Sequence, residues 1–123
     1  MEPQYSIVAF SHLRWNFVYQ RPQHLLSRLA AHRPVFFIEE PEFDAEGPRW
    51  ERTHPQPNVT VLQPRTPVRT PGFHPDQLPV VEQLVKELGR ELEGSTLVAW
   101  LYTPLALPLA QKLEPAVMVY DCM

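Results

Sequence analysis

Residues 5–38 read YSIVAFSHLRWNFVYQRPQHLLSRLAAHRPVFFI. The stretch opens on one apolar run, Tyr5–Phe10, and closes on another, Val35–Ile38, both rich in β-branched and aromatic residues. Continuous rather than alternating hydrophobicity marks a strand covered on both faces, so each run predicts a short buried strand. Between them, Pro22 suits the first turn of a helix. Leu25, Leu26, Leu29 and Ala30 then recur at helical spacing, with Gln23, Ser27, Arg28 and His32 on the other faces. The pattern predicts a helix from about Pro22 to Ala31, ended by Pro34. Strand, helix and strand with short joins form a βαβ unit, whose crossover is right-handed.

Working outward, Asn58–Leu62 (NVTVL) reads as a third strand. Pro79–Leu92 reads as a helix with Val81, Leu84, Val85, Leu88 and Leu92 on its apolar face and Glu82, Lys86 and Arg90 on its charged one. Thr96–Leu101 is the fourth strand and Val117–Tyr120 the fifth; Pro104–Leu113 between them is a short helix in which Pro108 favours a kink. The proline-rich remainder, EFDAEGPRWERTHPQP and residues 63–78, is expected as loop, with room for a small hairpin in the first of the two. The order β, α, β, β, α, β, α, β predicts an α/β fold: a Rossmann-like open parallel sheet of about five strands with helices on both faces, in the spatial order 3-2-1-4-5.

Composition narrows the classes. A chain of 123 residues holds one domain, taken as 1–123. The net charge of -3 argues against nucleic acid as a partner. No apolar run approaches the roughly 20 residues that span a bilayer, and MEPQYSIVAF lacks a signal-peptide layout; the expected location is cytoplasmic. Cys122 is the single cysteine, which excludes an internal disulfide and reads as a small apolar residue rather than a nucleophile. The stop at VYDCM, where a further covering element is expected, predicts a piece of a longer protein, with a natural chain of 123 residues as the alternative.

Ligands of open parallel sheets bind beyond the carboxyl ends of the strands, near the switch point. That selects SHLRWN after the first strand, YTP after the fourth and DCM after the fifth. Arg14 and Arg21 offer two-pronged contacts to phosphate or carboxylate. Trp15 either stacks on a sugar or base or packs the loop down. Arg21, Gln23 and His24 flank a helix N-terminus, which favours an anion. Tyr102 and Thr103 bring hydroxyls, although Thr103 before Pro104 is equally a helix cap. Asp121 is placed to hold a hydroxyl or act as a base, or else to cap a following helix. The first loop has no glycine and the chain no G-x-G-x-x-G, which argues against a nicotinamide or flavin dinucleotide domain. P-loop, G-x-S-x-G and Cys/His metal spacings are also missing, so neither a metal nor another cofactor is expected.

FSHLRWNFVYQRPQHLLSRLA, VFFIEEP and AVMVYDCM together resemble the N-terminal domain of bacterial GT-B-fold glycosyltransferases of the exopolysaccharide and cell-wall type, the group 1 or family 4-like enzymes. RPQHLLSRLA carries most of the resemblance and VYDCM is second. The resemblance implies the acceptor-side half of a two-domain enzyme that moves a hexosyl group from a nucleotide sugar, as co-substrate, to a saccharide or lipid-linked acceptor. It implies a second Rossmann-like domain, no metal, and peripheral contact of the whole protein with the inner face of the membrane. By the same analogy Arg14, Arg21, Gln23, His24, Tyr102, Thr103 and Asp121 face the cleft. A glycine-rich first loop is replaced here by SHLRWN, and a histidine after the fourth strand by YTP, which leaves His12 as the nearby replacement. A GT-B-fold sugar-nucleotide epimerase and a non-catalytic flavodoxin-like binding module stay open as alternatives.

Overall fold

The structure, a computed structural model, describes residues 5–15 and 21–121, with the side chains of Arg21 and Pro22 outside that description. The elements run β1 (Tyr5–Phe10), α1 (Arg21–Leu29), β2 (Val35–Ile38), β3 (Glu42–Phe43), β4 (Arg49–Gln56) and β5 (Val59–Thr66). They continue α2 (Leu78–Glu91), β6 (Thr96–Leu101), a 3-10 turn (Pro104–Ala106), α3 (Leu107–Gln111) and β7 (Val117–Tyr120). Among the described residues these strands form one seven-stranded sheet. Its parallel path β5-β2-β1-β6-β7 is the 3-2-1-4-5 order expected for the five strands read from the sequence. The fold is α/β, a mostly parallel, Rossmann-like open sheet.

Alternation along each strand divides the core in two. Ile7 and Ala9 of β1 face α1, where Leu26 and Ala30 pack with Val35, Phe37, Val59 and Val61. Val8 and Phe10 face the other way, toward Val81, Val85 and Leu88 of α2 and Leu109 and Ala110 of α3. Both faces of the central strand are therefore covered, which is why its hydrophobicity is continuous. A fully buried aliphatic or aromatic side chain of this kind contributes about 1.5–3 kcal/mol. Phe73, from the segment before α2, sets its ring edge-on to Phe10 at 6.5 Å between centroids.

The proline-rich segments hold more structure than expected. β4 pairs antiparallel with β5 from Arg49↔Arg65 to Gln56↔Val59, and β5 continues through Pro64 to Thr66, four residues beyond the predicted end at Leu62. Each proline sits where the ladder needs no donor from it. Pro55 lies in the register shift between Thr53 and Gln56. Pro64 falls between the last residue that pairs with β2, Leu62, and the first that pairs with β3, Arg65. The step from Ile38 to Glu42 spans four residues against three from Leu62 to Arg65, so Glu39–Pro41 carries one extra residue and bulges out of the ladder. Gly47 is required at its position, because a Cβ there would lie 2.5 Å from the Arg65 carbonyl oxygen. The predicted helix 104–113 divides into the 3-10 turn and α3, with Pro108 in the first turn of α3.

Candidate functional site

The chain leaves β1 through α1 on one face of the sheet and returns to β6 through α2 on the other. That places the switch point between β1 and β6, and open sheets of this kind take ligands beyond the carboxyl ends of the strands there. Along this edge stand Glu39 and Glu40 after β2, Ser11 and His12 after β1, Tyr102 and Thr103 after β6, and Asp121 after β7. The ladder carries each chain one residue past its strand. The Ser11 N–H donates to the Ile38 carbonyl at 3.0 Å, Tyr102 N–H to Phe10 at 3.0 Å, and Asp121 N–H to Leu101 at 2.9 Å. Side chains at these positions are thus held on the rigid sheet rather than on free loop.

Glu39 anchors the loop after β1. Its carboxylate is buried and accepts the Trp15 N–H at 2.7 Å and the Gln63 Nε2 at 3.4 Å. Arg14 approaches it at 3.7 Å and also pairs with Glu42. A buried carboxylate needs such partners to offset lost hydration. Gln23, 1% exposed, donates from Nε2 to the Trp15 carbonyl at 2.7 Å and to that of Arg14 at 3.4 Å. Trp15 packs edge-on against Phe37 with 5.1 Å between centroids. The structure therefore places Arg14, Trp15 and Gln23 in the fabric that fixes the loop. Thr103 caps the 3-10 turn by accepting the Leu105 N–H at 3.4 Å. Tyr102 is buried with the α1-side core, and Asp121 is half-buried.

His12 is exposed at the open edge. Beside it, Glu40 is half-buried, and burial pushes its carboxyl above the ordinary glutamate range while the charges of His12 and Arg14 pull it back. Gly72 makes that placement possible: its φ is 72°, and a Cβ there would come within 3.0 Å of the Glu40 Oε2. A carboxyl with a raised pKa next to an imidazole at a strand end is suited to proton exchange with a bound group. His24 lies exposed on α1, away from the buried face that carries Leu26. The side chain of Arg21 lies outside the described residues, as do Phe17, Tyr19 and Cys122. Among the described residues no three His, Cys, Asp or Glu side chains gather to hold a metal ion, and no helix is long and apolar enough to cross a membrane.

Glu39 and Glu40 were not among the residues singled out from the sequence. The signal for them was present, since EEP directly follows the second strand, and that strand adjoins the first at the ligand edge. Comparison with protein-family models, with curated proteins and with solved structures finds no match to this chain.

Proposed function

We propose that this chain is the acceptor-side half of a nucleotide-sugar-dependent glycosyltransferase. The observation that supports this reading best is the placement of His12 and Glu40, within electrostatic reach of each other, at the carboxyl edge of β1 and β2, beside the switch point and without a glycine-rich turn. In this reading an acceptor hydroxyl lies against His12, which takes its proton as the sugar bond forms; Glu40 carries the balancing charge on the imidazolium. Asp121, two strands away on the same edge, holds another hydroxyl of the acceptor. Arg21 and His24 lie at the start of α1 on the side of an incoming anion. The nucleotide diphosphate is held by an opposing domain, and the start of the first loop, whose Arg14 and Trp15 carbonyls accept from Gln23, shapes the acceptor side.

The complete reading frame that contains this chain tests the proposal. Nucleoside diphosphate release from the common nucleotide sugars is measured with and without saccharide acceptors. Acceptor-dependent release is expected, and His12→Ala is expected to lower it by about 10²–10³-fold with no change in melting temperature, since His12 is exposed. Failure to turn over any donor overturns the reading, as does an epimerised sugar nucleotide in place of a glycoside.

A further inference from the structure

The sheet ends differently on its two sides. On one side β4 lies outermost, and it carries Arg49, Glu51, Arg52 and a register shift around Pro55. Charges, prolines and bulges of this kind keep an edge strand from pairing with another chain. On the other side β7 lies outermost, and its four residues, Val117–Tyr120, include no charge and no proline. They run in unbroken parallel register with β6, from Val98↔Val117 to Leu101↔Tyr120. Val117 is 53% exposed and Tyr120 55%, two of the four large apolar side chains that stand exposed among the described residues. One edge of the sheet is thus guarded against pairing and the other is not.

The ladder fixes which backbone groups the β7 edge offers. The Asp121 N–H donates inward to the Leu101 carbonyl at 2.9 Å. Backbone groups alternate along a strand, so those of Val119 also turn toward β6, while those of Met118 and Tyr120 turn outward. Just before the strand, the Ala116 N–H is already given to the Leu97 carbonyl at 2.9 Å. Met118 and Tyr120 therefore present two donors and two acceptors. A second β7, running antiparallel about a two-fold axis through Val119, matches them. Met118 meets the partner's Tyr120, and Tyr120 the partner's Met118, through four N–H···O bonds. The pleat agrees with this register, because opposed side chains then lie on the same face. Met118 and Tyr120 share the α2 face, where the Tyr120 hydroxyl donates to the Met118 Sδ at 3.4 Å. Val119 lies with Trp100 on the α1 face.

The occupant these features favour is a second copy of the chain. The strand is uncharged, so two copies meet without like charges opposed. Stacking of β7 onto the β4 edge of another copy would propagate as a fibre, and the charges and proline of β4 oppose it; the β7–β7 contact closes at two. Antiparallel pairing also points the carboxyl edges of the two sheets in opposite directions, which leaves His12 open in each copy.

We propose that β7 is a self-association edge, through which two copies join into one continuous sheet by way of Met118 and Tyr120. The inference is independent of the glycosyltransferase reading. Four residues a side make a contact smaller than the standard interface of about 800 Å² per partner, so a Kd of about 10–100 µM is expected. Sedimentation velocity on the chain, from about 1 µM to about 1 mM, should show monomer giving way to dimer. Over the same range amide exchange should slow at Met118 and Tyr120, while Val119 and Asp121 stay protected throughout. Val119→Lys sets two ammoniums against each other on the axis and should abolish the dimer. Tyr120→Pro removes an outward N–H that β6 does not use, and serves where Val119→Lys fails to fold. It should weaken the dimer at least about tenfold with an unchanged circular-dichroism spectrum. Glu51→Gln, at the opposite edge, should leave the dimer as it is. A chain that stays monomeric to about 1 mM overturns the proposal, as does a dimer that either folded variant leaves intact. Free exchange at Met118 and Tyr120 in the dimer overturns it too. Protection of both amides already in the monomer does the same, since another segment would then hold the edge.

Discussion

Glu40 carries a pH dependence whose sign follows from its surroundings. Burial is the largest influence and raises its pKa, with His12 and Arg14 opposing. In the interval between the ordinary and the raised value the folded chain holds more protons at this site than the unfolded one. The Glu40 contribution to stability is therefore fully present below the ordinary glutamate value and is lost as pH rises through the raised value. Glu40→Gln removes this loss. Thermal melts should show the variant more stable than the parent near about pH 8 and close to it near about pH 4; a variant less stable at both would mean attraction outweighs burial. Asp44 and Glu82 run the other way. Hydrogen bonds from Arg49 and Lys86, respectively, lower their pKa values, so their small contributions hold above the ordinary carboxylate range and fade as pH falls through the lowered values. Residue type alone does not separate these roles. Trp15 and Gln23 offered themselves as ligand contacts because an aromatic and an amide near a strand end suit either binding or packing, and burial against Phe37 and two loop carbonyls is a tertiary fact.

At the scale of elements, the turn of the β4–β5 hairpin connects the strand layer to α1. Asn58 adopts φ 64°, and its Nδ2 donates at 2.9 Å to the carbonyl of Ala30, just past the helix end. A carbonyl there has no partner within the helix, so the side chain both makes the turn and caps its neighbour. Asn58→Gly keeps the backbone conformation but loses the bond, a cost of about 0.5–1.5 kcal/mol. Asn58→Ala adds left-handed strain of about 1 kcal/mol. Urea unfolding should rank the parent above the glycine variant and that above the alanine variant; equal midpoints for the two variants would show that strain has no part. The helices and the five parallel strands were readable because their apolar periodicity is set locally by burial. β4 was not, since its exposed sequence RWERTHPQ has no continuous apolar run and contains a proline. Its place depends on Trp50 reaching α2 and on a register shift that absorbs Pro55, neither of which is visible along the chain.

Across the whole molecule, β1 is the central strand, and its two neighbours come from very different parts of the chain. It pairs with β2 at Ile7↔Val35 and with β6 at Tyr5↔Thr96. Contacts joined over short separations form at lower entropic cost, so the β1-α1-β2-β5 side is expected to organise before β6 docks. Leu62→Ala in β5 should then slow folding, whereas Leu101→Ala in β6 should chiefly speed unfolding, as measured by stopped-flow denaturant series. The reverse assignment would place the nucleus at β1–β6. The same topology has a consequence during synthesis. Once β5 has been made, the thirty residues from Pro67 to Thr96 must still be translated before β6 even begins. At about 5–20 residues per second that takes about 1.5–6 s. Throughout that interval the apolar strand at the middle of the finished sheet is an open edge, ready to pair with any other extended chain. The nascent polypeptide, rather than the completed protein, is then the stage at which crowding on a polysome or a scarcity of chaperones most affects yield.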